Sequence, residues 1–217
     1  MDVRMFTVGP VQENCFLIRR DGADRALLVD PGEEAPKLLG AIEALGVTLD
    51  AILLTHTHFD HVGAVAPVAK ATGAPVYCPQ LEVAVLQDIM AYVPWPGFGP
   101  FESWDPEHTV AGGERLDLAG FDVEVLFTPG HSPGHVTYAI AGEGDEPTAL
   151  FSGDVLFQSS VGRTDLPGGD HATLLASIAT LLDRFDDDAV VHPGHMGLTT
   201  LGRERANNPF LAELSQS

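Results

Sequence analysis

Along the chain, apolar residues come in short bursts separated by turn-forming residues. Residues 5–8, 15–19 and 25–29 read as three short strands, the last stopped sharply by Asp30, Pro31 and Gly32. At 35–45 the apolar positions Leu38, Leu39, Ile42 and Leu45 fall at helical spacing, and Gly46 closes the run. A short apolar strand is expected at 51–54, a small-residue helix at 62–72, a strand at 76–78 and a helix at 81–90. The second half repeats the alternation: strands at 121–127, 136–140 and 148–151, a helix at 173–182, a strand at 189–191 and a last helix at 201–207. Between them, 91–108 is a long loop rich in Pro and Gly that carries Trp95, Phe98, Phe101 and Trp104. A loop of that length reads either as a lid or substrate wall, or as a surface excursion packed by its own aromatics. With no linker and no short repeat, 1–217 reads as a single domain.

Composition narrows the function classes. The 217 residues are 45% hydrophobic, enough for a full core, and the net charge is -20. A uniformly acidic surface repels phosphate backbones and anionic lipid, so neither nucleic acid nor membrane is expected as a partner. Cys15 and Cys78 read as two buried thiols, and the lack of a C-x-x-C pair excludes a thiolate zinc site. The opening residues lack the basic start and apolar run of a secretion signal, so the expected compartment is the cytoplasm.

The chemistry is carried by histidines. Three of the nine fall in the string T-H-T-H-F-D-H from Thr55 to His61. His56 and His58, two apart on an extended stretch, can point to one side, while Asp60 and His61 enter the next helix and face a neighbouring point. One loop can thus serve two adjacent metal ions. His131 follows Pro129 and Gly130, Asp154 follows Ser152 and Gly153, and His195 follows Pro193 and Gly194. Each stands where a strand gives way to a loop, so a rigid scaffold presents it. His135 reads as a supporting residue, and Asp30 as one able to orient a ligand histidine through its other ring nitrogen or as a simple turn residue. His108, His171 and His192 read as non-ligands.

These motifs, in this order, resemble the metallo-β-lactamase superfamily over nearly the whole chain. Within it, the stretches F-S-G-D-V-L-F from Phe151, G-R-T-D from Gly162 and G-G-D from Gly168, with the tail from Glu204 to Phe210, are similar to short bacterial glyoxalase II (hydroxyacylglutathione hydrolase) proteins. The resemblance implies an α/β fold: an αβ/βα sandwich of two mixed β-sheets flanked by helices. It also implies that His56, His58 and His131 hold one metal, that Asp60, His61 and His195 hold a second, and that Asp154 bridges both. The implied cofactors are two divalent ions; the nitrogen and oxygen donors suit zinc, with iron and manganese as alternatives.

The expected reaction is hydrolysis of a small-molecule acyl-thiol such as S-lactoylglutathione by a hydroxide shared between the metals. Metal-bound water ionises near pH 7 instead of about 15.7. A thiol of pKa about 8.5 leaves without a strong general acid. Asp60 and Asp154 are the catalytic carboxylates expected in addition to their ligand roles. Long glyoxalase II proteins grip the glutathione carboxylates with basic residues of an added C-terminal region. The tail here offers Arg203 and Arg205 and no lysine, so the thiol carrier stays open. Arg163 reads as an anion contact or as the salt-bridge partner of Asp165 or Asp170. Competing readings are a one-iron persulfide dioxygenase using His56, His131 and Asp154, a lactonase or β-lactamase, a nuclease disfavoured by the charge, and a non-catalytic metal-binding module.

Overall fold

The computed structural model of the protein describes residues 1–212. Two six-stranded mixed sheets stack face to face with helices outside, an αβ/βα sandwich. The first sheet runs in sequence order: β1 (Asp2–Val8), β2 (Glu13–Arg19), β3 (Arg25–Val29), β4 (Thr48–Leu53), β5 (Val76–Pro79) and β6 (His108–Val110). Its first three strands are antiparallel meanders and the rest pair in parallel. The parallel crossover from β3 to β4 is made by helix α1 (Ala35–Leu45). Between β4 and β5 come α2 (Phe59–Val62) and α3 (Val65–Thr72). After β5 lie two one-turn helices, α4 (Val83–Leu86) and α5 (Ile89–Tyr92).

The second sheet contains β7 (Arg115–Leu118), β8 (Phe121–Phe127), β9 (Val136–Ile140), β10 (Ala149–Gly153), β13 (Val190–Pro193) and β14 (Thr199–Thr200), ordered β14-β13-β10-β9-β8-β7. A small hairpin, β11 (Leu156–Phe157) with β12 (Ser160–Val161), follows β10. Helices α6 (His171–Arg184) and α7 (Leu201–Asn207) cover the outer face. No helix among the described residues is long and apolar enough to cross a membrane.

Side-chain periodicity explains the layers. In β8, Phe121, Val123 and Val125 point inward while Asp122 faces out, and they meet Phe16, Ile18, Leu27 and Leu53 of the first sheet. The opposite faces of the same strands, through Leu17, Leu28 and Ile52, pack under α1 and α3. Strand β2 is therefore buried on both sides, which is why it reads as a continuous apolar run. Helix α6 buries Leu174, Ile178 and Leu181 on one stripe, and its N-cap Asp170 accepts from Thr173 N at 2.7 Å. Cys15 and Cys78 are both buried and free.

Several elements match the expected bounds to the residue: 25–29, 35–45, 121–127, 136–140 and 201–207. The helix expected at 81–90 is instead broken after Leu86. Its backbone partners come from the long loop: Trp104 N donates to Leu86 O at 3.0 Å, and Ile89 N to Ser103 Oγ at 3.2 Å. Strands β6, β7, β11, β12 and β14 have two to four residues each, too short for a hydrophobic period to mark them.

Candidate metal centre

Every candidate ligand stands at one edge of the sandwich, where strands end. Strand β4 ends at Leu53, and Thr55 is then pinned: its N–H and hydroxyl donate to Asp30 Oδ1 and Oδ2 at 2.7 and 2.6 Å. Its carbonyl accepts from Val136 N at 2.9 Å, tying the loop to the second sheet. The chain stays extended through His58, the N-cap residue of α2, and then turns helical. Asp60 and His61 are thereby rotated away from His56 and His58, toward a neighbouring point.

Two trios result. His56, His58 and His131 form one, and Asp60, His61 and His195 the other, with the donor atoms of each trio within 4.8 Å of one another. His58 Nδ1 stands 3.1 Å from His56 Nε2 and 2.8 Å from His131 Nε2. His195 Nε2 stands 3.3 Å from Asp60 Oδ2. Asp154 lies between the trios: Oδ1 is 3.4 Å from His61 Nε2, while Oδ2 is 3.5 Å from His131 Nε2 and 3.6 Å from His195 Nε2.

Bonds at the outer ring nitrogens orient the rings. His131 Nδ1 donates to the Arg163 carbonyl at 2.8 Å, His195 Nδ1 to the Gln12 carbonyl at 3.2 Å, and His61 Nδ1 to Asp30 Oδ2 at 3.1 Å. His56 Nδ1 is 3.1 Å from Thr55 Oγ1, whose proton is already given to Asp30. Each of these bonds turns the ring so that Nε2 faces the centre. A third group, Asp30 with His56 and His61, also has ligand spacing. Its carboxylate is spent on Thr55 and His61, so Asp30 orients rather than binds.

The donor set fits cations. His61 Nε2 and Asp154 Oδ1 are buried with no hydrogen-bond partner, each an orphan costing about 1–3 kcal/mol. Nitrogen ligands on tetrahedral zinc, each about 2.1 Å from the ion, lie about 3.4 Å apart, close to the spacings here. Gly194 keeps the cradle open: a Cβ there would come within 2.4 Å of Asp154 Oδ1 and 2.6 Å of His61 Cε1. Gly130 is equally constrained, with φ +128 and α6 packed so closely that a Cβ would meet Leu174 N at 2.3 Å.

Electrostatics hold four of the ligands ready for a cation. At His61 and His195, burial is instead outweighed by Asp154, Asp60 and, for His61, Asp30, which raise both imidazoles above their ordinary value, so that a cation binding there displaces protons. Burial and the neighbouring imidazoles push His56 well down and His58 to about 4, so both are neutral near pH 7. Burial opposes ionisation of Asp60 and Asp154. The His195 hydrogen bond for the first, and the attraction of His61 for the second, outweigh it and hold both carboxyls below their ordinary value.

Supporting residues with no mark in the sequence complete the site. Glu82, buried just after β5, accepts from Ser132 Oγ at 2.7 Å, Gly134 N at 2.8 Å and Thr57 Oγ1 at 2.9 Å, joining the loops that carry His56, His58 and His131. Asn14 Nδ2 donates to the Pro193 and Met196 carbonyls at 3.1 and 2.8 Å and so holds the His195 turn. Glu13, fully buried, lies 3.8 Å from His61 Nδ1, and burial raises its carboxyl well above the usual range. His135 stacks on His56 and accepts from Asp154 N at 3.1 Å, a supporting position. His192 packs between Phe16 and Phe151, His108 stacks on Tyr77, and His171 opens α6, all outside both trios.

Above the centre lies a cleft of about 790 Å³. The 91–108 loop plays both expected parts. Phe98 and Phe101 pack on Phe59 and the core, while Trp95 turns to line the cleft. Arg163 pairs with Asp165 at 2.7 and 2.8 Å.

A family model for the metallo-β-lactamase superfamily matches residues 8–195. The hydroxyacylglutathione hydrolase GloC of Haemophilus influenzae is 37% identical over 213 residues, covering 97% of this chain and 98% of that one. The crystal structure of the BLEG-1 B3 metallo-β-lactamase superposes with a TM-score of 0.89 at 40% identity, over 97% of this chain and 100% of that one. That of TTHA1623 in a di-iron-bound form gives 0.83 at 44% identity, over 96% and 100%. With the fold, the two ligand trios and these likenesses together, the chain belongs to the metallo-β-lactamase superfamily of metallo-hydrolases.

Proposed function

We propose that the protein hydrolyses thioesters of small acyl-thiols, S-lactoylglutathione being one test substrate, at a centre of two divalent cations. The observation that carries this reading is the floor of the cleft, made of potential metal-ligand atoms. His58, His131, His195, Asp60 and Asp154 all turn ligand atoms inward, with Asp154 between the two trios. A cation pair held there supplies an ionised water near neutral pH and polarises a carbonyl oxygen. The chain's own part is to hold His56 and His58 neutral and Asp60 and Asp154 anionic, and to keep the cradle free of a Cβ at Gly194. With its nitrogens and carboxylates spent on cations, such a floor would keep no acid to protonate a departing amine. A thiolate, whose conjugate acid ionises near pH 8.5, departs without one.

Zinc suits these donors, and iron or manganese would also fit. The di-iron form of TTHA1623 supports a two-ion centre of this kind. A second reading, β-lactam hydrolysis, is favoured by the similarity to BLEG-1. The test is hydrolysis of S-lactoylglutathione and of a β-lactam by the metal-loaded protein and its His56→Ala and Asp154→Ala forms. The thioester is expected to be cleaved by wild type alone. Cleavage that survives in either variant, or of the lactam only, overturns the reading.

A further inference from the structure

Apart from its polar floor, the cleft is lined almost wholly by apolar side chains. Ile89, Tyr92, Val93 and Trp95 line it, as do Phe157 and Val161 of the small hairpin. Four of the nine large apolar side chains that stay exposed among the described residues belong to this lining: Leu81, Tyr92, Trp95 and Met196. Exposed apolar surface gathered around one concavity marks a ligand site. Charge is equally one-sided. Arg163 is the sole Lys or Arg of the lining; its Nε and Nη2 are bonded to Asp165, and its guanidinium lies 5.6 Å from the Trp95 ring centroid. Of the three acids there, Glu82 is tied to three donors, and Asp60 and Asp154 belong to the ligand trios. A carrier bearing two carboxylates therefore finds a single cation, Arg163, already shared with Asp165, and the net charge of -20 repels it further.

We infer that the cleft selects its substrate by an apolar acyl chain laid along Tyr92, Val93 and Trp95, and that the thiol carrier is not gripped through charge. This rests on the thioesterase reading above and specifies its substrate class. The carbonyl at the floor and the chain along the wall are one continuous path, since His131 and Asp154 line the same cleft as Trp95.

The experiment measures kcat/KM on acetyl, butyryl, hexanoyl and octanoyl thioesters of N-acetylcysteamine, and on the hexanoyl thioester of glutathione, with the metal-loaded protein. A fully buried methylene contributes about fourfold, so the half-open cleft should give a rise of about tenfold or more from acetyl to hexanoyl. Exchanging the carrier at constant acyl chain should change kcat/KM by less than about threefold, because the single cation of the lining is already shared with Asp165. Trp95→Ala should flatten the slope against chain length. Arg163→Gln should shift the two hexanoyl thioesters by the same factor. A flat or falling chain-length series, or a glutathione preference lost in Arg163→Gln, overturns the inference while leaving the thioesterase reading standing. Failure to cleave any thioester overturns both.

Discussion

The floor and the wall of the cleft are built on opposite principles. On the floor, the ligands are held from behind: His61 by Asp30, itself pinned by Thr55, His131 by a carbonyl, and Asp154 through its backbone N–H by His135. On the wall, Tyr92, Trp95 and Leu81 stay exposed and rest on neighbours without such bonds. A reacting centre requires placement to fractions of an ångström, which only over-determined hydrogen bonding supplies. Recognition of an alkyl chain requires area, which loosely held apolar side chains supply.

The most severe way to break the contrast is to remove a floor residue. Asp154→Ala or His56→Ala is expected to lower thioester hydrolysis by about a thousandfold or more, measured by thiol release at saturating metal. Next is the residue that ties two ligand loops together. Glu82→Ala leaves Thr57, Ser132 and Gly134 without their shared acceptor. Metal affinity should then fall about 10- to 100-fold in chelator competition, with Glu82→Gln retaining most of it.

A third test separates the two histidines of the last Pro-Gly-His turn. His195 faces the centre, whereas His192 lies between aromatic rings, and burial pushes it down to about 4. Between that value and about 6.5 the unfolded chain binds the proton and the folded one does not. The stabilisation is therefore complete above about pH 6.5 and is lost as pH falls toward 4. His192→Phe should remove about 2 kcal/mol of the stability otherwise lost between pH 7 and pH 5, read from urea unfolding at each pH. The smallest effect belongs to the rim. The Arg163–Asp165 pair is exposed on both sides, so Asp165→Asn should change unfolding stability by less than about 1 kcal/mol.

The same contrast explains what the sequence discloses. The seven proposed ligands are legible because four crowd into the string from Thr55 to His61 and three, His131, Asp154 and His195, follow Pro-Gly or Ser-Gly turns, patterns with few other reasons to occur together. The long strands and helices are legible through their periodicity, as at 121–127 and 35–45. Glu82 is not, because a lone glutamate ahead of an apolar run looks like an ordinary helix opening, and its three donors come from residues 25 to 52 positions away. Nor is the wall: Tyr92, Val93 and Trp95 have the same types as core residues, and nothing in their spacing marks them as lining the cleft.

The central claim is a centre of two cations at which thioesters are cleaved. Its most direct test is to titrate metal-free protein with Zn2+ while following both bound metal and hydrolysis of a hexanoyl thioester. Activity should rise until about two equivalents are bound and then level off, and Asp154→Ala should stay inactive at every ratio. Full activity at one equivalent, or hydrolysis by the metal-free protein, would contradict the account.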